Sequence, residues 1–188
     1  MPQAVAHILI PVLIVSLIRD FYLKKRDRKT FPLHYVWIAG IGGILPDIDI
    51  LISIFLNVFG VSNWNIHKTI LHSLFFPAIF LILFFILRNV DIKAKICNIT
   101  RHKLKLSTIS LMLAIGITIH ILLDALFGSG AFFFYPIGGL DLSMDFGIDL
   151  IRNLPTDLIE WAMPILDGVL FIVWVTYLEL KHKISNFI

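Results

Sequence analysis

The chain has 188 residues, 58% of them hydrophobic and only 15% charged, with a mean hydropathy of +0.89. Soluble globular domains carry about 45–50% apolar and about 25% charged residues, so the composition excludes that class and implies a polytopic membrane protein. The formal charge of +3 resides in basic residues that flank apolar runs, which argues against a nucleic-acid partner and for a membrane one.

The expected fold class is all-α: a polytopic membrane helix bundle forming one domain over residues 1–188, with about five transmembrane helices. Met1 to Ile18 is the first span and includes Pro11. Its positive charge follows the apolar stretch, at Arg19 and Lys24 to Lys29, the reverse of a secretory signal peptide, so it is expected to be retained. Pro32 to Phe59 is the second span, broken at Gly40-Ile41-Gly42-Gly43-Ile44-Leu45-Pro46, because Pro46 lacks a donor and disfavours helix in the residue before it. Residues 60–69 form a short polar connection to a third span, Ile70 to Leu87. Arg88 to Lys105 reads as a basic loop. Leu106 to Phe127 is the fourth span, a long acidic loop follows, and Leu158 to Leu178 is the fifth.

Orientation follows from the basic residues: six lie in residues 19–29, six in 88–105 and two in the tail, 14 of the 16 Lys and Arg. Those regions are expected in the cytoplasm, which leaves the amino terminus outside and the carboxyl terminus inside.

Ionisable groups inside these spans carry the functional signal. A charged side chain at membrane depth costs about 2.5–3.5 kcal/mol on the gentlest insertion scale, and paired carboxylates repel one another. Asp47 and Asp49 form such a pair, and a cation between them removes both penalties. They would lie about 200° apart on an unbroken helix, so convergence requires the break at Pro46. Asp47 lies about 14 residues into its span and His120 about 14 into the next-but-one, so each sits roughly 21 Å into a core of about 30 Å. His7, His67, His72 and Asp124 fall in the same outer layer. His120 and Asp124, spaced i, i+4, share one helix face. Imidazole with carboxylate suits one or two divalent ions, most readily zinc, with manganese or iron as alternatives; the single cysteine, Cys97, excludes a thiolate-rich zinc site.

Four blocks follow one another along the chain: His7 in the first helix; Leu45-Pro46-Asp47-Ile48-Asp49 with Ser53; His67-Lys68-Thr69-Ile70-Leu71-His72-Ser73; and Gly116 to Asp124 followed by Tyr135-Pro136. In this order they resemble the membrane-bound metal-dependent hydrolases, a family that includes a bacterial inner-membrane member regulated by the LexA repressor. Lys68 stands where the family has arginine, and Thr69 and Leu71 replace its glycine and threonine. The resemblance implies metal ligation by His7, Asp47, Asp49, His67, His72, His120 and Asp124. The family is distantly similar to zinc-dependent phospholipases C, which makes a phosphoester the implied substrate class.

The leading functional reading is a metal-dependent hydrolase acting on a phosphoester or lipid-like substrate at the outer leaflet, with the nonligating carboxylate of the aspartate pair, Asp49, as base and Lys68 as either an anion contact or an outer-surface anchor. The alternative is a metal-ion transporter, or a metal-binding membrane protein without hydrolytic activity, since intramembrane His and Asp also line cation pathways. The inner halves of the third and fourth spans are almost wholly apolar, which favours a closed pocket. Asp167 in the fifth span is either a further ligand or a packing partner.

Overall fold

The computed structural model describes residues 4–23, 31–60, 70–96, 100–127, 133–136 and 156–182. The elements are α1 (Ala4–Leu23), α2 (His34–Gly42), a 3-10 turn (Leu45–Asp47), α3 (Ile48–Val58), a second 3-10 turn (Ile70–His72), α4 (Phe75–Ile86), strands β1 (Asp91–Ile96) and β2 (Thr100–Lys105), α5 (Leu106–Phe127) and α6 (Thr156–His182). The fold is thus helical apart from one hairpin.

Helix α5 is the axis of the bundle, with α1, α2 and α4 packed around it. Toward one end, Val12 and Val15 of α1, Tyr35, Val36 and Ala39 of α2 and Met112 of α5 form a buried cluster. Toward the other, Ile117, Ile121 and Ala125 of α5 pack with Phe133 and, at the periphery, Leu45, Phe76 and Phe80. Lipid is as apolar as these side chains, so close packing rather than water exclusion must hold such helices together. Glycine makes that packing possible at two contacts. A Cβ on Gly116 would lie 2.1 Å from the Ala39 carbonyl oxygen, and one on Gly43 would lie 2.0 Å from that of His7. The backbones of α1, α2 and α5 therefore meet directly.

Among the described residues two helices are long and apolar enough to cross a membrane, Val5–Tyr22 and Leu106–Leu126. His34–Gly42 with Leu45–Val58 makes a third if that pair, bent by 43°, is one span. The expected third span is shorter than its apolar run: α4 has 12 residues, about 18 Å at 1.5 Å per residue against a core of about 30 Å. Pro77 sits in its first turn, where no proline N–H is missed, and Leu74 N–H donates to Phe133 O at 2.9 Å, so the chain before Leu74 leaves the helix. The stretch expected as a basic loop instead forms an antiparallel hairpin with Asp91 opposite Lys105 and Ile96 opposite Thr100. Ile92, Ala94 and Ile96 alternate with Lys93 and Lys95, a period of two that suits a strand. Lys105 N–H donates to the Tyr35 hydroxyl at 2.9 Å, tying the hairpin to α2.

Helix α6 rests on α1. Near one end Asp167 faces the Ala6 backbone, and near the other the Tyr177 hydroxyl donates to Asp20. An apolar cavity of about 260 Å³, lined by Val12, Val36, Trp37, Trp174 and Leu178 among others, opens between α1, α2 and α6.

Gly116→Ala should destabilise the detergent-purified protein by about 1–3 kcal/mol, because the new methyl meets backbone that cannot rotate away. Gly168→Ala is the control: nothing lies within 4 Å of its Cβ position, and alanine is the better helix former by roughly 0.5–1 kcal/mol. Equal thermal unfolding temperatures for Gly116→Ala and wild type would contradict the contact.

Candidate metal centre

The break after α2 builds the first half of the site. Ile44 N–H donates to Ile41 O at 3.0 Å and Asp47 N–H to Ile44 O at 2.9 Å, so the chain tightens into a 3-10 turn in which Pro46 occupies an early position and misses no bond. α3 then starts at Ile48. The two carboxylates converge as the break requires, but on opposite sides of one imidazole: Asp47 Oδ1 lies 3.7 Å from His72 Nε2, and Asp49 Oδ2 lies 3.3 Å from His72 Nδ1.

His72 ends the second 3-10 turn, which is held by the Ser73 hydroxyl donating to Ile70 O at 2.7 Å. It faces α5. His120 Nε2 is 3.2 Å from His72 Nε2 and 3.5 Å from Asp47 Oδ1. Asp124 Oδ2, one turn along α5, is 3.5 Å from His72 Nε2 and 3.7 Å from His120 Nε2. Three atoms, the two imidazole nitrogens and the Asp47 oxygen, thus face one point, and the Asp124 oxygen approaches the same two nitrogens. Ligand atoms of a tetrahedral site with bonds of about 2.0–2.1 Å are roughly 3.3–3.4 Å apart, and the separations of 3.2–3.7 Å among Asp47, His72 and His120 bracket that value.

The proton inventory decides what such a point can hold. His120 Nδ1 lies 2.7 Å from Gly43 O. A carbonyl only accepts, so Nδ1 carries the proton and neutral Nε2 presents a lone pair. The Asp49 carboxylate beside His72 Nδ1 favours the same tautomer there. With His120 Nε2 and the carboxylate oxygens as acceptors, the centre is rich in lone pairs, a set that fits a cation. The side chains of His72 and His120 are 1% and 0% exposed and that of Asp124 is 5% exposed, whereas Asp47 is 26% exposed. Access to the centre therefore lies past Asp47.

His7 extends the cluster. Its ring lies 4.0 Å from that of His120, centroid to centroid, and its Nε2 is 3.6 Å from Asp124 Oδ1, the oxygen that does not face His72. Two groups of candidate ligands result, Asp47 with His72 and His120, and His7 with His120 and Asp124. Of the seven ligands expected, the structure brings together His7, Asp47, His72, His120 and Asp124. Asp49 belongs to neither group and stands behind His72. His67 and Lys68 lie outside the described residues. The Gly43 carbonyl that orients His120 was not anticipated, since a backbone acceptor leaves no residue-type signal beyond the glycines that let the strands of backbone approach.

The family described as YdjM inner membrane protein matches residues 1–182. The chain belongs to the YdjM inner membrane protein family. Neither a curated protein nor a solved structure matches it. Membership and the apolar helices together place this YdjM-family protein in the membrane.

Asp47→Asn should remove stoichiometric zinc from the purified protein, because an amide leaves the cation under-neutralised. Asp49→Asn should weaken zinc by about 10- to 100-fold without abolishing it, the range for a group that orients a ligand. Chelator competition measures both; identical losses would contradict the division of roles.

Proposed function

We propose that the protein is a membrane-embedded metal-dependent hydrolase acting on a phosphoester or lipid-like substrate at the outer leaflet. The observation that carries this reading is the buried cluster in which two groups of potential ligands, Asp47 with His72 and His120, and His7 with His120 and Asp124, share His120. Asp47, His72 and His120 would hold a divalent ion, zinc in the first instance and manganese or iron otherwise, and His7 with Asp124 offers ligands to a second ion. The chemistry such an ion supplies when bound is polarisation of a phosphoryl or acyl oxygen and acidification of water.

The remaining roles belong to the chain. Asp47, the most exposed member, lines the side from which substrate approaches. Asp49, 1% exposed and directed at His72 Nδ1, is better suited to holding that imidazole than to serving as the base expected from its place in the motif. Lys68 is proposed as the anion contact at the outer surface. Beneath the cluster, Val36, Ala39 and Met112 are 0–4% exposed and fill the space between α2 and α5, which favours a closed pocket over a transport path.

The proposed topology has five spans: α1, the broken pair α2 and α3, the run around α4, α5 and α6. Arg19 to Lys29, Arg88 to Lys105 and the tail face the cytoplasm, with the amino terminus outside.

Zinc-loaded protein in detergent should hydrolyse a lipid phosphoester, and Asp124→Asn should fall to less than about one hundredth of that rate, since loss of a ligand exceeds the 10- to 100-fold effect of an outer group. Zinc uptake into liposomes without hydrolysis of any tested ester would instead support the transporter.

A further inference from the structure

The three histidines of the cluster differ in how their second ring nitrogen is held. His120 Nδ1 donates to the Gly43 carbonyl at 2.7 Å, and His72 Nδ1 lies 3.3 Å from the Asp49 carboxylate. His7 turns Nε2 toward Asp124, and its Nδ1 is buried with no hydrogen-bond partner among the described residues. An imidazole that ligates through one nitrogen generally donates from the other to a carboxylate, carbonyl or water, because that bond selects the tautomer and fixes the ring plane. For His7 the acceptor is missing.

Asp167 of α6 supplies the complementary deficit. It is 6% exposed, and both of its carboxylate oxygens are buried without closing a hydrogen bond to any described group. The carboxylate faces the backbone of Ala6, the residue preceding His7. Ala6 is the third residue of α1, so its amide is one of the donors a helix start leaves unsatisfied, and a carboxylate there is favoured by the helix dipole. A carboxylate buried at membrane depth with no partner is costly, and a buried imidazole N–H with none is costly too. The carboxylate thus lies against the residue next to His7, with two oxygens that close no hydrogen bond to a described group, at the turn that carries an imidazole nitrogen without an acceptor.

We propose that Asp167 is the positioning residue for His7, accepting its Nδ1–H through one bridging water and so presenting Nε2 toward Asp124 and the metal cluster. The proposal rests on the metal reading above. It makes α6, which otherwise packs on α1 and α2, part of the site's support: the helix brings to His7 what Gly43 brings to His120 and Asp49 to His72.

The test is a double-mutant cycle on zinc affinity, measured by chelator competition on detergent-purified protein. Asp167→Ala should weaken zinc by about 10- to 100-fold. In the His7→Ala background the same substitution should change affinity by less than about twofold, because sites that act as a unit are not additive. Unchanged affinity for Asp167→Ala overturns the proposal, and so does an equal loss in both backgrounds, which marks general α1–α6 packing. If wild type binds no zinc, the metal reading falls with it, whereas zinc binding that ignores Asp167 sinks only this inference. A readout on the unmutated protein covers the case in which Asp167→Ala does not fold. Long-range ¹H–¹⁵N spectra of histidine-labelled, zinc-loaded protein should show the His7 proton on Nδ1, in slow exchange with water. A His7 ring protonated on Nε2, or an Nδ1 proton in fast exchange, overturns the proposal.

Discussion

Two imidazole nitrogens and two carboxylate oxygens lie 3.2–3.7 Å apart among apolar helices, and such a set is stable only with positive charge among it, a bound cation or protons on the imidazoles. The low dielectric amplifies the repulsion that remains without it. The rest of the structure is consistent with this single constraint. The Gly43 carbonyl holds the proton of His120 on its far nitrogen, and the Asp49 carboxylate lies beside the far nitrogen of His72, which turns the near nitrogens toward a cation. A cation converts the same arrangement from a penalty into a binding site.

The backbone is arranged to make that convergence possible. Direct contact of Gly116 with Ala39 and of Gly43 with the His7 carbonyl draws α1, α2 and α5 together more closely than side chains would permit. The α2 chain then ends in a tight turn instead of running on, which lays Asp47 and Asp49 on either side of His72. On α5, His120 and Asp124 are one turn apart and reach the same point. Candidate ligands from four separate segments meet because three helices touch at glycine and one is broken by Pro46.

Much of this was legible from residue type and spacing. Pro46 after a glycine-rich run marked the break, and the i, i+4 spacing of His120 and Asp124 marked a shared face. Helix rise counted from the basic flanks places His7, Asp47, Asp49, His67, His72, His120 and Asp124 in one layer; five of these are brought together, and His67 lies outside the described residues. What escaped was directional. Spacing cannot tell which side of an imidazole a carboxylate approaches, so Asp49 was grouped with Asp47 as a ligand when it lies against the opposite nitrogen. The unpaired His7 Nδ1 and Asp167 belong to helices far apart in sequence, and only their packing relates them. The hairpin at Asp91 to Lys105 was read as a loop because its basic residues outweighed the alternation of Ile92, Ala94 and Ile96. The short α4 was overestimated because hydropathy registers the apolar run from Ile70 and not the turn that interrupts it.

X-ray absorption at the zinc edge of zinc-loaded protein tests the central claim most directly, since it reads the ligands without depending on any substrate. The account predicts a first shell of nitrogen and oxygen at about 2.0–2.1 Å, with the multiple scattering of at least two imidazoles and no sulfur. A shell containing sulfur at about 2.3 Å, or scattering from oxygen alone without imidazole, would contradict it.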